Sequence, residues 1–326
     1  MIDSKDISIV FQGPIEWETD GKDPRPLTKR SLENARQMLP GAELILSTWS
    51  GQKIDTLGFD HVIFNQDPGM QGEWPGHTPS NVNRQIASTL AGIKHATRSF
   101  VLKIRTDLVL NGTNFISRFV AAPPISEDSR RIFKRPIVTN NLSSRNTDAI
   151  LQRLPGHPLP FHPSDHASFG LAEDMLTLWD IPYQSEEDAW FFLDRSHPNR
   201  YRLHELSRLA PEQHILTNAI EKHHPVGLSN YADMSRTVLA LSQYYMTTHF
   251  VTVPDRLFPI VFPKYHTPHH QSYEWMRICP DDLYYNKTEH EIARREFTWD
   301  KRLTYPFRRP KRFAKSIIRG LGIKIP

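Results

Sequence analysis

The chain has 326 residues, of which 38% are hydrophobic and 10% aromatic, with 26 Pro and 15 Gly. That mix excludes collagen, coiled coil and wholesale disorder, and the length predicts two lobes or one large α/β domain. The formal net charge is +4, and Cys279 is the only cysteine, which excludes a disulfide scaffold and any Cys-x-x-Cys zinc site.

Residues 7–11 (ISIVF) form a continuous apolar, β-branched run, the pattern of a buried strand, and the run stops at the turn signal Gln12, Gly13, Pro14. A polar loop follows up to Pro26. Thr28 then reads as the cap of a helix to about Met38, with Leu32, Ala35 and Leu39 inward and Pro40-Gly41 as its stop. Residues 43–48 and 61–64 predict the next two strands. A long polar loop leads to Ser80, where Val82, Ile86, Leu90 and Ile93 begin an amphipathic helix, and residues 99–104 predict a fourth strand.

This alternation implies an α/β fold with a mostly parallel central sheet flanked by helices. Beyond 120 the signals thin out. Residues 136–139 and 249–253 predict strands, 170–179 and 211–220 helices, and Pro and His are dense between them. The expected organisation is an α/β half over 1–120, a loop-rich half of the same domain over 121–263, and a C-terminal extension over 264–326.

The extension ends in a basic tail. Residues 301–326 carry nine Lys or Arg and no acid, leaving the rest of the chain at −5. On a helical wheel Phe313, Ala314, Ile317, Ile318 and Leu321 oppose Lys311, Arg312, Lys315 and Arg319. Such a segment would lie in the plane of an anionic bilayer, each cation adding about 1 kcal/mol at the surface. A solvated tail, or a helix docked on the body, fits the same residues. Nucleic acid is not expected, because neither a zinc finger nor an RNP-like aromatic motif is present. No apolar run approaches the roughly 20 residues of a membrane span. MIDSKD carries acids where a signal peptide needs a basic region. The expected location is cytoplasmic, peripheral on the inner face of the cytoplasmic membrane.

Several common sites are missing from the sequence. It has no GxxxxGK[ST], no GxGxxG after the first strand and no GxSxG, and both HE pairs (His204-Glu205 and His290-Glu291) open HExxR rather than HExxH. The informative segment is KIRTDLVL, residues 103–110. Alternation along a strand would project Lys103, Arg105 and Asp107 together near its carboxyl end, where open α/β sheets bind ligands. Two cations and one carboxylate there suit a divalent metal on a diphosphate, with Asp107 as hard oxygen ligand and Arg105 on phosphate oxygens. The same spacing also fits a plain Arg–Asp salt bridge at a strand end.

Together, ISIVFQGPI, TKRSLENARQMLPGAELILSTW, NQDPG, NVNRQIASTLAGIKHA and KIRTDL resemble the WavE-type lipopolysaccharide synthesis family. The likeness continues more loosely through PSDHASFGLAEDM and APEQHI. The order of elements is similar to that of GT-A glycosyltransferases. The resemblance implies transfer of a sugar from a nucleotide-diphosphate donor to a lipopolysaccharide core or surface polysaccharide, on a lipid-linked or oligosaccharide acceptor. It places Gln12, Gly13 and Pro14 beside the nucleotide, Asp67 near the base or ribose, and Arg84 facing the donor phosphates or sugar. Asp107 takes the place of the metal-binding Asp, for Mn²⁺ or Mg²⁺. Arg105 departs from the family's pattern, standing where many GT-A enzymes carry the first acid of the triplet. This keeps open a non-catalytic scaffold subunit of the same pathway.

An inverting transferase needs a carboxylate to take the acceptor's proton. Asp165 in PSDH is the first candidate, and Glu173 with Asp174 the second, although LAEDMLTLW also reads as a plain helix with acids in its favourable first turn. His266, His269 and His270 could complete a metal shell or stand in an exposed loop. Among the tryptophans, Trp74 sits in a polar loop as a lid or acceptor contact, whereas Trp49, Trp179, Trp190 and Trp275 are expected in the core.

Overall fold

The structure, a computed structural model, describes residues 2–18, 25–54, 57–72, 77, 79–140, 144–145, 159–198, 205–253, 257–261 and 263. Trp74, Trp275, His266, His269, His270 and the 301–326 tail lie outside the described residues.

The chain builds β1 (Ile7–Gln12), α1 (Leu27–Met38), β2 (Glu43–Trp49), β3 (His61–Asn65), α2 (Val82–His95) and β4 (Phe100–Arg105) in the expected order. It continues with β5 (Val109–Leu110), α3 (Asn114–Ala121), β6 (Ile137–Asn140), β7 (Ala167–Leu171), α4 (Ala172–Trp179), α5 (Glu186–Ala189), α6 (Pro211–Glu221), α7 (Arg236–Thr248), β8 (Phe250–Val253) and β9 (Ile260–Val261). Seven strands form one sheet in the order β3-β2-β1-β4-β7-β6-β8, while β5 and β9 form a separate antiparallel ribbon.

Strands β3, β2, β1 and β4 are parallel neighbours, and β6 is parallel to β8. Only β7 runs against its neighbours. The sheet is thus mostly parallel; β1 is buried along its whole length, and β2 and β4 everywhere but at their ends, because helices cover both faces. On one face Ile7, Ile9, Phe11, Leu44, Leu102 and Ile104 meet Leu32 and Ala35 of α1 and Phe115 and Phe119 of α3. On the other, Val10, Ile45 and Val101 meet Val82, Ile86 and Ile93 of α2, with α4, α6 and α7 beyond. Gly92 lets α2 approach β1 closely, since a Cβ there would come within 2.3 Å of Val10 Cγ1.

Strand ends differ from expectation by a residue, and three other differences have a physical cause. Pro26, not Thr28, caps α1. The Thr28 hydroxyl instead accepts the Glu16 N–H (2.8 Å) and donates to the Thr106 carbonyl (3.1 Å), tying the first loop to the end of β4. Helix α2 begins at Val82 rather than Ser80, whose backbone bridges to Gln71. Residues 170 and 171 end β7 instead of opening a helix, because ASFGL pairs along β4 before the chain turns into α4. Among the described residues no helix is long and apolar enough to cross a membrane.

Candidate functional site

The carboxyl ends of β1, β2 and β4 lie side by side, with Gln12 paired to Ser47 and to Arg105. After Gln12 the backbone must turn sharply, and Gly13 does so at φ +119°, where a side chain would be strained. The turn is laced to its neighbours: the Gly13 N–H donates to the Ser47 carbonyl (3.1 Å), the Thr106 N–H to the Gln12 carbonyl (3.1 Å), and the Thr106 hydroxyl to the Pro14 carbonyl (2.5 Å). A Cβ on Gly13 would lie 3.1 Å from that same Thr106 Oγ1.

Above these strand ends opens a cleft of about 450 Å³. It is lined by Gln12, Gly13, Pro14, Glu16, Trp49, Asp67, Asn81, Arg84, Gln85, Ser88, Arg105, Thr106 and Asp107. Helix α2 supplies Arg84, Gln85 and Ser88 through its opening turns, with Asn81 as its N-cap, and Ser88 also donates to Gln12 Oε1 (3.2 Å). Gln85 Oε1 is buried with no hydrogen-bond partner.

Two guanidinium–carboxylate forks stand in this cleft. Arg105 donates from Nε to Asp107 Oδ1 (2.9 Å) and from Nη2 to Oδ2 (2.6 Å). Arg84 repeats the pattern on Asp67, with Nε to Oδ1 at 2.7 Å and Nη2 to Oδ2 at 2.5 Å. The Asp67 carboxylate, which also accepts the Gly69 N–H (2.9 Å), is held below the usual range chiefly by the Arg84 hydrogen bonds. Asp107 is 4% exposed.

Seven predicted residues therefore share one cleft: Gln12, Gly13, Pro14, Asp67, Arg84, Arg105 and Asp107. Lys103 does not join them. It is fully buried beneath the strand ends, its ammonium 5.0 Å from the Trp179 ring centre and donating to the Asp165 carbonyl. Burial pushes Lys103 down to about 8. Alternation does put Lys103 on the same face as Arg105, but two residues further back the face is already covered by α4.

Asp165 lies two residues before β7, whose Ala167 pairs with Ile104 of β4, so it stands at the same end of the sheet as the cleft without lining it. Its Oδ1 is 3.1 Å from His166 Nδ1. Burial would raise this carboxyl, but His166, Lys103 and Arg105 together hold it well below the usual range. Glu173 and Asp174 sit at the opposite end of the sheet, following Leu171, which pairs with Phe100 at the start of β4. Asp174 is buried and accepts the Lys134 and Arg135 N–H groups (2.7 and 3.0 Å), and Glu173 pairs with Lys134 (2.6 Å). The length of β4 separates them from the cleft by roughly 20 Å, so the reading of these acids as an ordinary helix start is the one the structure supports.

The expected metal does not fit the donor set. A hard divalent cation takes six or more oxygens, with carboxylates free to turn toward it. Here both oxygens of Asp107 and both of Asp67 already accept guanidinium N–H groups. Among the described residues no three His, Cys, Asp or Glu come together in a way that could hold a metal ion.

The sequence pattern did not point to Trp49, Glu16, Asn81, Gln85, Ser88 or Thr106, which also line the cleft. Trp49 was expected in the core, yet it is partly exposed and lines the cleft. Its place as the last residue of β2 carried the signal, since ligands gather at such ends. Trp179 is in the core as expected, and Trp190 is partly buried against a smaller apolar cluster.

No curated protein matches the chain. Among solved structures, a cytidylyltransferase from Leptospira borgpetersenii serovar Hardjo-bovis shares 11% identity over 56% of this chain and 67% of that chain, with a TM-score of 0.31. A 4-diphosphocytidyl-2C-methyl-D-erythritolsynthase from Anaerococcus prevotii shares 12% over 68% of this chain and 100% of that one, with a TM-score of 0.33. Likeness at this level says nothing of activity. The family described as WavE lipopolysaccharide synthesis matches residues 7–258, a span that holds the whole sheet and every residue of the cleft, and the chain belongs to that family.

Proposed function

We propose that the protein is a glycosyltransferase of lipopolysaccharide core or surface polysaccharide assembly, using a nucleotide-diphospho-sugar donor on a GT-A-like fold. The observation that carries this reading is the cleft at the carboxyl ends of β1, β2 and β4, where two arginines stand beside the Gln12–Pro14 turn. Trp49 offers an aromatic face to the base, and Asp67 borders the base or ribose. Arg84 and Arg105 take the diphosphate, helped by the positive end of α2.

In the reaction the bond between the sugar's anomeric carbon and the diphosphate oxygen breaks, and a bond forms to the acceptor hydroxyl oxygen. Charge grows on the departing diphosphate, and fixed guanidinium groups stabilise it without reorganising. The hydroxyl's proton passes to the Asp165–His166 pair, which an acceptor must meet at the rim beside the cleft rather than within it. A carboxylate as acidic as Asp165 is a weak base on its own, so its part is to orient and charge-stabilise the imidazole that receives the proton. The acceptor is lipid-linked or an oligosaccharide, and the 301–326 tail would hold the enzyme on the inner, anionic face of the cytoplasmic membrane.

The test is a panel of sugar nucleotides with and without a lipopolysaccharide core oligosaccharide, reading nucleoside diphosphate release and the acceptor's mass. Release with a sugar-sized mass gain is expected for one donor. Binding of a donor without release or transfer would make the protein a non-catalytic scaffold, and the absence of binding as well would end the nucleotide-sugar reading.

A further inference from the structure

Residues 159–166, which lead into β7, belong to no helix or strand, yet every one of them is buried. Irregular chain usually runs over the surface, because buried backbone groups must find hydrogen-bond partners. Here neighbouring side chains supply them. Gln213 of α6 donates to the Pro160 carbonyl (2.9 Å), and Ser242 of α7 accepts the Phe161 N–H (2.8 Å). Ser144 accepts the Ser164 N–H (2.9 Å), and the Ser164 hydroxyl donates to Asn140 Oδ1 at the end of β6 (2.7 Å). Lys103 of β4 donates to the Asp165 carbonyl, and His162 pairs with Glu212 of α6 (3.2 Å). Gln213, Ser242 and Lys103 are themselves buried. Phe161 stands at φ +52°, the one non-glycine residue with positive φ among the described residues. That conformation is disfavoured for a bulky side chain and persists only where the surroundings over-determine it.

Resting on the glycosyltransferase reading, we infer that Ser242, Gln213 and Lys103 are positioning residues that hold the strained Phe161 turn and the chain after it, and so fix the Asp165–His166 pair at the rim where the acceptor hydroxyl gives up its proton. Ser242 and Gln213 grip the turn itself, through the N–H of Phe161 and the carbonyl before it. Lys103 grips the far end of the segment. A buried ammonium is costly unless it is well partnered, and this one is set against the carbonyl of the residue that orients the imidazole. None of the three touches the reacting groups; they act through the backbone of residues 160–165. The donor cleft is built from other residues, so proton transfer and donor binding are separable.

The experiment compares the full chain with Ser242→Ala and Ser242→Thr, using the sugar nucleotide that the donor panel identifies and the core oligosaccharide. Asp174→Ala, at the far end of the sheet, is the control for lost stability. Ser242→Ala removes the acceptor of the Phe161 N–H. It is expected to lower kcat for sugar transfer, per folded molecule, by about tenfold to a hundredfold, the scale of a misplacement of about 1 Å. Its Kd for the donor's nucleoside diphosphate, read by calorimetry, is expected to stay within about twofold of wild type. Ser242→Thr restores the hydroxyl and should recover kcat to within about threefold. An unchanged kcat in Ser242→Ala, or an equal loss in Asp174→Ala, overturns the positioning role and leaves the transferase reading standing. A loss of donor affinity that accounts for the whole effect does the same. A wild type that releases nucleoside diphosphate from no donor overturns both. Should Ser242→Ala fail to fold, amide hydrogen exchange in the wild type decides. The Phe161 and Ser164 N–H groups are expected to exchange as slowly as those of β7, and fast exchange at either overturns the proposal.

Discussion

His249 closes α7 and is fully buried. Its Nε2 accepts the Ile132 N–H (3.2 Å), so the ring's proton sits on Nδ1, 2.6 Å from the Thr248 hydroxyl, which in turn donates to the Tyr244 carbonyl (2.7 Å). Phe133 and Tyr245 pack on the ring. Protonating Nε2 would remove the acceptor that Ile132 needs and place a cation among aromatics. Burial accordingly pushes this imidazole down from 6.5 to about 4, with the Asp128 charge opposing and Arg130 assisting. A depressed folded-state value means that the unfolded chain takes up the proton first. The stabilisation is complete above pH 6.5 and is lost as pH falls toward 4. Between pH 7.5 and 5.0 the loss works out at about 2 kcal/mol, an order-of-magnitude figure from the two pKa values. The assay is urea unfolding of wild type and His249→Gln at both pH values. His214, also lowered by burial, is present in both proteins and cancels. The wild type is expected to lose about 2 kcal/mol more than the variant over this interval. Equal losses in the two proteins would refute the assignment of a neutral, buried His249.

Three further outcomes are expected. Gly92→Ala forces a methyl toward Val10 Cγ1 at 2.3 Å and should cost about 1–3 kcal/mol in urea unfolding. Gly13→Ala combines strain at φ +119° with a crowded Thr106 hydroxyl, for roughly 1–3 kcal/mol of destabilisation, and nucleotide affinity measured by calorimetry should fall with it. Asp174→Ala leaves the Lys134 and Arg135 N–H groups without their acceptor, lowering stability by about 1–3 kcal/mol. Nucleotide binding per folded molecule should be unchanged in this variant, and a specific loss of binding would bring Asp174 back into the site.

The half of the fold before 110 was legible because its signals are local. ISIVF is a run that only a covered strand can bury, and Val82, Ile86 and Ile93 repeat at the spacing that puts one helical stripe on a sheet. The cleft followed from the same half, since strand ends and the turn after β1 are readable from punctuation alone. Beyond 110 the determinants are tertiary. Helix α7 is rich in Thr and Tyr, poor helix formers, and stands because Val238, Tyr245 and Met246 find a core. ASFGL carries no strong strand signal and becomes β7 through its register on β4. The depth of Lys103 was equally hidden, because alternation gives a side chain's face but not what covers it.

The reversed direction of β7 decides which residues stand near the cleft. Entering from the rim where β4 ends, it brings Asp165 and His166 to the end of the sheet that bears the cleft, whereas a parallel strand in that slot would have carried the same residues to the far side of the sheet. The two residues before β7 can therefore change the chemistry of that rim without altering the register of the four parallel strands beside it.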